Sequence, residues 1–172
     1  MAGVKLNPHD RPNAKLADLQ LASSGLNDTA LVGVALIVSR HPPFLNYSFR
    51  LMLIKLIDQL KYSANITAML DGKIVAYAGW IVVNDADAQR WLKDGGELPA
   101  PNWQNGDAAI ITIIVTEHKR YLLPLMRAVS HACQGKKGYA MRSYQDGRAD
   151  SKRQTIDARE QIFHHEQSGS QG

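Results

Sequence analysis

The run Ala108-Ala-Ile-Ile-Thr-Ile-Ile-Val115 constrains the fold more than any other part of the chain. It is rich in β-branched residues, carries no charge and lacks the polar alternation of a half-exposed strand. A strand of this kind is stable only when both faces of its sheet are covered, so it predicts a central strand with helices packed on the sheet.

The periodicity around it supplies those layers. Thr29–Ser39 reads as a helix capped by Asp28 and stopped at Pro42-Pro43, where two prolines remove backbone donors and fix φ. Ser48 is placed to cap a second helix, Phe49–Lys61, whose apolar residues on most sides predict a buried position. Ile66–Leu70 and Ile74–Val82, joined by Asp71-Gly72, predict a β-hairpin. Asp85–Leu92 reads as a short helix ending at Gly95-Gly96, and Pro99–Gly106 as a loop. Tyr121–Cys133 is amphipathic and is broken by Gly135; Gly138–Tyr144 and Lys152–Ala158 read as final strands around Asp146-Gly147. The expected architecture is α+β, a mixed sheet of about five strands with packed helices.

A length of 172 residues allows one domain, assigned to 29–158. Residues 1–28 are polar, with Leu16, Leu19 and Leu21 as apolar anchors, and read as an extended arm that straps onto other chains; 159–172 read as a polar tail. No apolar run approaches the ~18 residues of a membrane span. A lone cysteine, Cys133, excludes a disulfide framework and reads as a small buried hydrophobe. No charged start precedes an apolar stretch, so the expected location is cytoplasmic, or a virion if the chain belongs to a viral assembly.

Charge is unevenly placed. Residues 119–160 hold ten Lys and Arg against four Asp and Glu. Lys136, Lys137, Arg142, Arg148, Lys152 and Arg153 are therefore the candidate partner-binding residues, and an acidic protein face is the partner they suit. Without aromatic interleaving or a recognition motif, the segment does not point to nucleic acid. The turn Gln134-Gly-Lys-Lys-Gly138 follows a helix, whose negative end repels phosphate, so the sequence carries no acetyl-CoA signal and no cofactor is expected. Asp107, after Gly106, reads as a turn carboxylate accepting backbone N–H bonds. Glu117-His118 could display a dyad at a strand end, although neighbours on a strand face opposite ways. His164-His165 has no third ligand at metal spacing, so no metal is expected.

Several segments in order resemble the RTX-toxin-activating lysine acyltransferases, the hemolysin-activating type. They are Leu31-Val-Gly-Val-Ala35, His41-Pro42-Pro43-Phe44, Tyr47 with Leu51–Ile57, Asp71-Gly-Lys-Ile-Val-Ala-Tyr-Ala-Gly-Trp80, Trp103-Gln-Asn-Gly-Asp107 and Ala140-Met-Arg142. The resemblance spans roughly 31–158 and needs no gaps between 31 and 115. It implies a fold of the GCN5-related acetyltransferase kind, and transfer of a fatty acyl group from acylated carrier protein to a protein lysine.

In that alignment the family's catalytic histidine falls on Phe44 and its catalytic aspartate on Ile113. Neither side chain can move a proton, whereas the chemistry uses a histidine base and an orienting carboxylate. His41, three residues earlier, is the candidate replacement base if activity persists. Two expectations follow: a catalytically degenerate relative serving as a protein-binding or structural subunit, or an active lysine acyltransferase using His41 or His118.

Overall fold

The computed structural model describes residues 16–95, 97–140 and 154–156. Its elements run β1 (Gln20–Ala22), α1 (Asp28–Val38), α2 (Phe49–Lys61), β2 (Asn65–Leu70), β3 (Lys73–Val83), α3 (Asp85–Asp94), β4 (Ala108–Thr116), α4 (Leu122–Ala132), β5 (Lys137–Ala140) and β6 (Gln154–Ile156). The strands form one sheet in sequence order, antiparallel throughout except for the parallel pair β4–β5. The α+β expectation holds, and among the described residues the sheet has six strands.

The additional strand lies in the region read as an arm. Gln20–Ala22 pairs with Thr67–Met69 along the outer edge of β2, and Leu19 and Leu21 pack on the domain's own core. Those two leucines therefore do not serve as straps to a neighbour; only Leu16 of the three is largely exposed. Residues 1–15, the tail from 157 and most of the segment around Asp146-Gly147 lie outside the described residues.

Local chemistry sets the boundaries. Asn27, not Asp28, caps α1: its side-chain oxygen accepts the Ala30 N–H at 2.9 Å. Asp28 is the first helical residue, where its charge meets the positive end of the helix. Ser48 precedes α2 without a side-chain cap. Asp71 and Gly72 both take positive φ (50° and 73°), the turn geometry that matches the twist of a two-residue hairpin.

Two helical layers cover the sheet. On one face α1 and α2 enclose Val34, Ile37, Val38, Leu56, Tyr77, Ile113 and Val115, while on the other α4 covers Ala78, Trp80 and Ala109 through Leu125 and Val129. Near the start of β4, α3 adds Trp91 against Ala108, Ile110 and Tyr139. β4 is thus buried over most of its length, emerging at Ile114. The expectation that α2 is buried on most sides is corrected. It inserts Leu56, Gln59 and Leu60 into the core but leaves Phe49, Leu51 and Ile54 exposed, because it packs on the sheet through one stripe only.

Candidate functional site

The centre of the site is a break in β4. Trp80 on β3 pairs with Ile111, but the residue before it, Gly79, pairs with Ile113, so Thr112 is the extra residue of a β-bulge. On its other side β4 pairs in parallel with β5 from Ala108 opposite Lys137 to Ile111 opposite Ala140. Bulges re-aim side chains and interrupt a ladder, and they recur beside active sites.

A buried polar chain supports the bulge. Gln59 on α2 is 1% exposed and projects onto Gly79. It accepts a hydrogen bond from Tyr77 Oη at 2.9 Å and donates from Nε2 to Thr112 Oγ1 at 2.8 Å. Thr112 Oγ1 in turn donates to the Gly79 carbonyl at 3.3 Å. Asn65, fully buried, donates to the backbone carbonyls of Gln59 (3.0 Å) and Ser24 (2.9 Å). Burial pushes the Tyr77 phenol well above its ordinary range, so it stays protonated and remains a donor. None of these groups is charged. Of these residues only Thr112 carries a sequence signal, as the single polar residue inside the apolar run Ala108–Val115; Gln59 follows Asp58, and Asn65 stands two residues after Ser63.

Phe44 and Ile113, the positions aligned with the catalytic pair, belong to one apolar cluster beneath α1 and α2. Ile113 is 1% exposed, whereas Phe44 is partly buried and also meets the Tyr47 ring at 5.7 Å. His41 lies nearby in sequence, but its Nδ1 is 2.7 Å from the Ile37 carbonyl, and it forms no ion pair among the described residues. A ring nitrogen bound to a helix carbonyl is a donor, so in the neutral ring Nε2 is the acceptor, and the ring is oriented by a carbonyl and not by a carboxylate.

Glu117 and His118 turn away from each other. Glu117 lines an open cleft of about 620 Å³ between α1 and the β2–β3 turn, together with Leu36, Arg40 and Ile74. His118 meets Tyr121 edge-on at 5.8 Å. No hydrogen bond joins the pair among the described residues. Among them there is also no cluster of three or more His, Cys, Asp or Glu suited to a metal, and His164-His165 lie outside them.

The basic residues that can be placed have internal partners. Lys136 Nζ donates to the Gly106 carbonyl, and Lys137 Nζ pairs with Asp85 at 2.7 Å. Asp85 also accepts from Gln89 at 2.7 Å and from Tyr139 Oη. Hydrogen bonds from Lys137 and Tyr139 hold the Asp85 carboxyl below its ordinary value. Asp107 behaves as the sequence suggests: its Oδ1 accepts the Asp85 N–H at 2.7 Å, serving the uncapped start of α3 from outside the helix. Arg142, Arg148, Lys152 and Arg153 lie outside the described residues. Cys133 is buried, and desolvation pushes its thiol up to about 11.

No protein-family model matches the sequence, and no curated protein matches it. Solved structures do match. The loading GNATL domain of CurA from Lyngbya majuscula aligns at a TM-score of 0.56 and 11% identity, over 73% of this chain and 65% of that one. The chain thus spans just under two thirds of that domain's length. The GNAT-like decarboxylase GphF, in complex with isobutyryl-CoA, aligns at 0.53 and 13% identity, over 74% and 67%. An acetyltransferase of the GNAT family from Streptococcus agalactiae 2603 aligns at 0.51 and 10% identity, over 91% and 86%. Identities this low carry no family assignment, but the geometry is shared: the chain has the GCN5-related acetyltransferase fold.

Proposed function

We propose that the protein is a binding member of the acetyltransferase fold, a relative of the toxin-activating acyltransferases whose proton-transfer pair has been replaced by core residues. The observation that carries the reading is the joint packing of Phe44 and Ile113 in the cluster under α1 and α2. Where the related chemistry needs a histidine and a carboxylate, this chain has a phenyl ring and a sec-butyl group holding helix to sheet. Its partner is an acidic protein met by the basic 119–160 segment. The test is acyl transfer from acylated carrier protein to a lysine substrate. No histidine-dependent transfer above background is expected; a rate that collapses on His41→Ala would overturn the reading.

One observation favours a second reading, in which transfer persists. The Thr112 bulge interrupts the β3–β4 ladder in the central strand of a fold shared with acyltransferases. A neutral amine attacking an acyl thioester forms the C–N bond as the C–S bond breaks, and its proton can pass to solvent without a protein base. This route predicts transfer that survives His41→Ala but falls on Thr112→Val.

A further inference from the structure

The corner between α1 and α2 gathers several exposed large apolar side chains. Phe49 is 75% exposed, Leu45 57% and Tyr47 47%. On another side of α2 Leu51 and Ile54, three residues apart, form a further exposed stripe. Folded proteins seldom leave such a concentration of large apolar side chains in water unless something covers it.

The charges interspersed with these residues indicate what covers it. Arg40 follows the end of α1, at the rim of the cleft that Glu117 also lines, Arg50 follows Phe49, and Lys61 ends α2, with Asp58 as the acid between 40 and 61. Lys55 stands over the Tyr47 ring at 5.5 Å. A two-fold contact with a second copy would bring these cations against themselves, so the face disfavours self-association. A protein partner would need separate pockets for Leu45, Tyr47 and Phe49 at one projecting corner. An anionic bilayer surface needs none: its acyl region accepts apolar tips of any shape, and its headgroups meet Arg and Lys whose stems lie along the same surface.

We propose that the α1–α2 corner is a peripheral docking surface for an anionic lipid bilayer, with Leu45 and Phe49 inserting among the acyl chains and Arg40, Arg50 and Lys55 at the headgroups. The contact is interfacial and does not cross the bilayer; among the described residues no helix is long and apolar enough to span one. The inference does not depend on whether the β4 site transfers acyl groups.

Sedimentation of the full chain with phosphatidylcholine vesicles, with and without phosphatidylglycerol, tests it. Retention should be at least about tenfold higher on the anionic vesicles and should weaken at about 0.5 M salt. Leu45→Ser/Phe49→Ser should lower retention about tenfold with the circular dichroism spectrum unchanged. Arg40→Gln/Arg50→Gln should remove the preference for anionic vesicles. Leu122→Ser/Leu123→Ser, exposed leucines on the α4 side of the sheet, should leave retention as in the parent. No retention, equal retention on neutral vesicles, or an equal loss in the Leu122/Leu123 variant would overturn the proposal. A dimer abolished by Leu45→Ser/Phe49→Ser, without vesicle binding, would overturn it in favour of a second copy.

Discussion

Gln59 fills the space beside Gly79 so fully that a Cβ there would lie 2.8 Å from its Nε2 and closer still to the rest of its amide. The end of a flexible side chain normally yields to such a clash. Gln59 is held by Tyr77 and Thr112 and is 1% exposed, so moving it breaks buried hydrogen bonds. Gly79→Ala is therefore expected to destabilise the fold by about 2–3 kcal/mol. Urea unfolding midpoints at unchanged slope would measure the loss.

The same contact predicts a coupling. Gln59→Leu leaves the Tyr77 hydroxyl buried without its acceptor, at a cost of about 1–3 kcal/mol. Adding Tyr77→Phe removes the orphaned group, so the double variant should be more stable than the sum of the two single losses implies. A double-mutant cycle reads the interaction directly; strict additivity would show that the two groups are not energetically linked.

Acid should weaken the junction between α3 and β5. The Asp85 carboxyl is held below its ordinary value by Lys137 and Tyr139. Its contribution is complete above the unfolded carboxylate value of about 3.9 and is lost as pH falls through the lower folded value. Asp85→Asn should lower the melting temperature near neutrality and flatten its fall below about pH 4. Thermal melts of both proteins across that range are the check.

Cys133 should resist thiol reagents in the native protein. Its thiol is buried beneath α4 and shifted up to about 11, so little thiolate exists at neutral pH. Labelling by a disulfide reagent is expected to be slow without denaturant and to rise with the unfolded fraction in urea. Fast labelling at full native signal would mean that the end of α4 opens locally.

Elements fixed by nearby residues could be read from the chain. The bounds of α2, the Asp71-Gly72 turn and the body of β4 follow from period, turn chemistry and an uninterrupted apolar run. Features created by distant contacts could not. Gln20–Ala22 has no strand signature, since its extended form comes from pairing with Thr67–Met69 more than forty residues away. The Asn27 cap was missed because Asp28 is an equally good capping residue one position along. Apolarity in the sequence does not say what lies opposite a residue, so the exposed side of α2 is indistinguishable there from core. At the site, the sequence alone gives Phe44 and Ile113 only as apolar residues, and the structure places both in one cluster. The bulge at Thr112 had only one signal, a hydroxyl in a run of isoleucines, and a hydroxyl alone does not distinguish a bulge from a regular strand residue.

The edge strand β1 has a bearing on solubility. It covers Thr67, Ala68 and Met69, half of the outer rim of a six-residue strand reading Asn-Ile-Thr-Ala-Met-Leu. Unpaired, that rim would present a row of free amide and carbonyl groups with little charge to repel another chain, the usual template for intermolecular strand pairing. Three residues near the start of the domain thus act as a guard against fibril-like association, and a chain trimmed at Ala22 would keep most of its core while losing that guard.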